Sequence, residues 1–184
     1  MNRILASAVV GAVFFVSAAV ATAGRAVADA PMYSDATMRF LPPAGFDKID
    51  VPQVDLSEQE HLAPVAYYVQ NRGTEQQLSI AIMMELFNGG LNEFTTVVED
   101  DLRGEIPDLF VSRKTLTKLA NGMPAYWLKL AYGEGFDSMQ QYLYATIDGR
   151  RGIVVAISGH LGVITEDTAK AALKNLAVVI PQSF

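Results

Sequence analysis

The chain has 184 residues, 20 acids against 14 lysines and arginines, a formal charge of −6 and no cysteine. That composition excludes disulfides, a thiol nucleophile, a thiolate metal site and a cysteine-linked lipid anchor. With Arg3 and Arg25 as the only charges of residues 1–28, the remainder carries 12 − 20 = −8, a poor match for nucleic acid or an anionic lipid surface.

Asn2 and Arg3 open the chain, and an apolar run of small residues from Ile4 to Ala23 follows, with no acid before Asp29. A positive n-region, an apolar core and small residues at the end describe a secretory signal peptide over residues 1–28. Cleavage is expected after Ala28, behind Ala26-Val27-Ala28, which leaves Asp29 to begin the mature chain; Ala21-Thr22-Ala23 offers a second point after Ala23. The run is also about as long as the roughly 20 residues of a membrane span, so a retained anchor is the alternative. Either way the rest is exported, periplasmic or secreted, with Arg3 held on the cytoplasmic side.

Residues 29–184 are enough for one domain with its own core. Pro31, Pro42, Pro43, Pro52 and Pro64 forbid a long helix near its start. Short strands are expected at Met38 to Leu41 and Phe46 to Val51, with Pro42-Pro43-Ala44-Gly45 as the bend. Val65 to Gln70 and Gln77 to Glu85 read as a strand pair turned by Asn71-Arg72-Gly73. Leu91, Phe94, Val98 and Leu102 recur at helical spacing up to Arg103, with Glu99, Asp100 and Asp101 towards the other side. Leu109 to Leu119 follows as a strand whose Ser112, Lys114 and Thr117 suggest a solvated edge.

Strict alternation then marks a meander. Ala125 to Tyr132 sets Tyr126, Leu128, Leu130 and Tyr132 against Trp127 and Lys129. Met139 to Ile147 sets Leu143, Ala145 and Ile147 against Tyr142, Tyr144 and Thr146. Asp148-Gly149, a dipeptide suited to a tight hairpin, leads into the apolar run Gly152 to Ser158. A last helix is capped by Thr165, with Glu166 and Asp167 in its first turn, a buried stripe of Ala169, Leu173, Leu176 and Ile180, and a stop at Pro181.

Several short stretches resemble the PsbP-like superfamily. Phe40-Leu41-Pro42-Pro43-Ala44-Gly45-Phe46 is similar to its opening hairpin, and Leu119-Ala120-Asn121-Gly122-Met123-Pro124-Ala125 to its Gly-x-Pro-Ala turn. Gln141-Tyr142, Gly149 and the run into Ser158-Gly159 resemble its meander, and Leu176 to Phe184 its closing segment. The resemblance implies an α+β fold, an antiparallel β-sheet sandwiched by helices (a PsbP-like α/β/α sandwich), and a binding or accessory role. Among its members the exported, cysteine-free chain looks most like the DcrB-type proteins of bacterial envelopes.

Candidate sites are few. If their strand faces coincide, Trp127, Tyr142 and Tyr144 cluster as a ligand- or partner-binding patch, the alternative being ordinary core. Glu58 and His61, three apart, have the chemistry of a divalent-cation pair, against the plainer reading of a solvated loop. Ser158 and His160 lack a nucleophile elbow, and Glu134 and Asp137 read as a charged hairpin loop. No catalytic residue and no cofactor is expected. The expectation is an exported, non-enzymatic binding or accessory protein of the bacterial envelope, meeting a protein partner or envelope component, with no stable membrane anchor if the leader is cleaved. A periplasmic small-ligand or metal carrier is the alternative, and an exported hydrolase a third.

Overall fold

A computed structural model describes residues 32–35, 38–59, 61–135 and 138–178; the leader and its cleavage points lie outside them. No helix among the described residues is long and apolar enough to cross a membrane. In chain order the elements are β1 (Tyr33–Ser34), β2 (Met38–Phe40), β3 (Asp47–Ile49), a single 3-10 turn (Leu56–Glu58), β4 (Ala63–Gln70), β5 (Leu78–Leu86) and α1 (Leu91–Glu105). They continue with β6 (Phe110–Lys118), β7 (Pro124–Tyr132), β8 (Met139–Asp148), β9 (Arg151–His160), α2 (Glu166–Leu173) and β10 (Ala177–Val178).

Seven strands form one antiparallel sheet in the order β3-β4-β5-β9-β8-β7-β6. Period-two patterning and tight turns pair each meander strand with its chain neighbour, and β9 then returns beside β5, from Leu78 opposite Gly159 to Leu86 opposite Arg151. Gly149, at φ 60°, makes the hairpin between β8 and β9 at no steric cost.

The alternation gives the sheet two apolar faces, and each takes a helix. On one, Phe94, Val98 and Leu102 of α1 pack against Leu128, Leu130, Leu143, Val154 and Ala156. On the other, Ala169, Ala172 and Leu173 of α2 join Met38 and Phe40 of β2 over Ile80, Ile82, Val155 and Ile157. Each such aliphatic side chain removed from water contributes about 1.5–3 kcal/mol, so both helices are held by their stripes more than by their short ladders. Helices on both sides of an antiparallel sheet are the expected sandwich.

Two expectations change. Met38–Phe40 and Asp47–Ile49 are not a hairpin: β2 belongs to a separate three-stranded sheet, β1-β2-β10, and β3 to the large one. The Pro42–Gly45 bend is therefore a crossing between sheets. The last helix is also shorter than its stripe implied. α2 begins as expected, with Thr165 Oγ1 accepting from the Thr168 N–H at 3.2 Å, but ends at Leu173, and the Leu176 N–H closes a turn onto the Leu173 carbonyl at 3.1 Å. Leu176 is buried beyond the helix, and the chain pairs with β2 as β10. Ile180 and Pro181 lie outside the described residues.

At the sheet's margin, β6 is the solvated edge that its polar residues implied. Its register slips between Val111 and Arg113. Arg113, opposite Lys129, reaches Glu166 of α2 at 3.2 Å, whereas Lys114, opposite Leu128, reaches Glu99 of α1 at 2.6 Å. One ion pair thus ties the edge to the layer above and the other to the layer below.

Candidate functional site

The strand faces of Trp127, Tyr142 and Tyr144 do coincide. The ladder sets Trp127 opposite Tyr144 and next to Tyr142; ring centroids lie 4.5 Å apart for the first pair and 5.6 Å, with planes 23° apart, for the second. Two members of the cluster are covered and Tyr144 is half-buried. Trp127 is 3% exposed and Tyr142 2%, with Lys170 of α2 above the indole at 5.8 Å and Lys129 above the Tyr142 ring at 5.7 Å. Lys170 also holds Glu166 at 2.7 Å, and its hydrogen bond is the main reason the Glu166 carboxyl titrates below the usual range. The Trp127 N–H makes no hydrogen bond of good geometry, yet lies close enough to Glu166 to add the smallest share of that lowering. Burial raises the Tyr144 phenol. An indole so enclosed is expected to emit at short wavelength and to resist iodide quenching until the chain unfolds; quenching of the native protein would mean that the patch opens in solution.

An open concavity lies elsewhere on the same side of the sheet. A groove of about 490 Å³ runs between the Pro42–Gly45 bend and α2. Leu41, Pro42, Pro43, Ala44 and Phe46 make one wall, and Thr168, Ala171, Ala172, Lys174 and Asn175 the other. Leu78 and Ile157 supply an apolar floor, with Gln70 at one end. The Asn175 side-chain amide reaches the Leu41 carbonyl at 3.5 Å and so spans the two walls. None of these residues was a candidate from sequence, because the walls come from opposite ends of the chain and the Phe40–Phe46 stretch was legible there only as a structural bend.

His61 meets Asp101 of α1, with Nδ1 and Oδ2 3.6 Å apart, while Glu58 ends the exposed 3-10 turn. Among the described residues no group of three His, Cys, Asp or Glu is placed to hold a metal ion. Glu85, at the end of β5, lies within range of the same pair and is only 5% exposed. Burial first, and then the charge of Asp101, push its carboxyl from 4.5 up to about 7, against the opposing pull of His61. Sequence offered no sign of this, since Glu85 reads there as the polar end of a strand.

Ser158 and His160 stand two apart on one face of β9. The Ser158 hydroxyl is 2% exposed and accepts from Gln141 Nε2 at 3.0 Å, and no hydrogen bond joins it to His160. Glu134 lies in the loop between β7 and β8, and Asp137 is outside the described residues.

Neither a family model nor a curated protein matches the sequence. Solved structures do match the shape. The solution structure of cyanobacterial PsbP (CyanoP) from Synechocystis sp. PCC 6803 aligns with a TM-score of 0.58 at 14% identity, over 86% of this chain and 98% of that one. The fold is PsbP-like. A protein of unknown function from Pseudomonas aeruginosa, PA94, aligns with a TM-score of 0.53 at 9% identity, over 77% of this chain and 100% of that one. At these identities the likeness concerns the PsbP-like architecture alone.

Proposed function

We propose that this is an exported, non-enzymatic binding or accessory protein of the bacterial envelope, of the DcrB kind, released after Ala28 and working in the periplasm or beyond. A protein partner or envelope component would dock in the groove between the Pro42–Gly45 bend and α2. The single observation that carries the reading is that groove: about 490 Å³, open to solvent, apolar in its floor and walled by the Pro42–Gly45 bend and α2. The buried, amide-bonded Ser158 favours this over the hydrolase. The groove's volume, within the roughly 300–1,000 Å³ of small-molecule sites, also favours a carrier as the second reading. Its metal form, on Glu58 and His61, has no third ligand in support among the described residues.

Ala171 is small, exposed and on the groove wall, so Ala171→Trp fills the space from one side without entering the core. Pull-downs from envelope extract with wild type and Ala171→Trp, the fold of each confirmed by its melting temperature, test the reading. Proteins retained by the wild type should be lost from the variant. Identical retention by both would remove the groove as the docking site.

A further inference from the structure

The groove's chemistry points to a class of ligand. The whole chain is acidic, with 20 Asp and Glu against 14 Lys and Arg, yet no acid lines the groove and its only charged lining residue is Lys174. Lys174 is exposed, and among the described residues none pairs with it. Gln70 and Thr168 add amide and hydroxyl groups beside the apolar floor.

We propose that the groove takes an amphipathic anion, its alkyl chain laid over Leu78 and Ile157 and its carboxylate or phosphate head at Lys174. This rests on the groove's being the binding site. An alkyl chain gains up to about fourfold in affinity per methylene buried. Opposite charge at the head selects against neutral and cationic amphiphiles, which leave the ammonium unpaired or repel it. Lys174 also stands at the end of α2, where a cation offsets the terminal carbonyls. That structural use alone would lower the melting temperature of a Lys174 variant without giving any preference among head groups, so the two roles separate by experiment.

Isothermal titration of the full chain with octanoate, dodecanoate, dodecyl phosphate and dodecyltrimethylammonium, all below their micelle concentrations, is the test. Both dodecyl anions should bind at least about tenfold more tightly than the cation, and dodecanoate far more tightly than octanoate. Lys174→Glu should invert the order of anion and cation, and Ala171→Trp should abolish binding of all four. A stronger response to the carboxylate indicates a free fatty acid as the natural ligand, and to the phosphate a phospholipid head. Equal binding of anion and cation, or a preference that survives Lys174→Glu, overturns the inference. The same holds if no amphiphile binds. In each of these cases the groove stands as the site so long as Ala171→Trp still loses the partners retained by the wild type. If that variant changes neither titration nor pull-down, both readings fall.

Discussion

Gly152→Ala is expected to destabilise the fold by about 3 kcal/mol or more, at the upper end of the roughly 1–3 kcal/mol of an overpacked core. Gly152 lies on β9 beneath α1, and a methyl there would sit 2.1 Å from Cε2 of Phe94 and within 2.7 Å of two more ring carbons. The ring has no room to retreat. Phe94 is fully buried and already packs against Phe87, with centroids 5.2 Å apart. The helix must therefore lift from the sheet, taking Val98 and Leu102 with it. Phe94→Ala alone should cost about 3–5 kcal/mol through the cavity it leaves. Because the added methyl occupies part of that cavity, the double variant should be more stable than the sum of the two losses predicts, by about 1 kcal/mol or more. Urea unfolding of the four proteins measures the coupling. Strict additivity would show that the ring and the glycine do not share the space.

Glu85→Gln should stabilise the protein, and only above the acid range. The folded carboxyl titrates near 7 and the unfolded one near 4.5. Below 4.5 both states hold the proton, and the group contributes nothing to the pH dependence. Between the two values the unfolded chain releases its proton while the folded one keeps it, so stability falls as pH rises. Above 7 the loss is complete, about 3 kcal/mol at most. The amide cannot ionise and escapes this loss. Its advantage should thus be greatest at pH 8 and nearly absent at pH 4.5, as read from urea midpoints at the two values. Asp101→Asn, which removes the neighbouring negative charge, should flatten the wild-type slope in part. An advantage of the glutamine that is equal at both pH values would mean that Glu85 ionises normally in the folded chain.

The parts of the fold that the sequence disclosed are those made between chain neighbours. Tyr126 to Tyr132 and Leu143 to Ile147 alternate, so the strands could be read directly, whereas the meeting of Trp127 with Tyr142 and Tyr144 hung on a register that only the ladder supplies. What could not be read was the cover. The layer over that cluster is α2, whose Lys170 reaches Trp127 only after the chain has turned back over the sheet. The small sheet was equally hidden, because two residues such as Tyr33–Ser34 or Ala177–Val178 have no period to detect. Leu176 misled for a related reason: it fits a helical stripe and is buried, but a turn after Leu173 brings it there. The groove and the Glu85 site share this cause, since each is assembled from distant segments whose side chains look ordinary in isolation.

The two ion pairs on β6 bear on how the molecule keeps its own company. An open strand invites another copy to zip alongside it. Here a symmetric antiparallel union centred on the strand's middle would set Lys114 against Lys114, and the slip before Arg113 breaks the backbone pattern such a union needs. Glu99 and Glu166 meanwhile hold the strand flat between its neighbours, so it cannot easily peel away to find a different alignment. Solubility at this margin is therefore guarded by electrostatics, which counterions weaken, and not by any covering layer among the described residues.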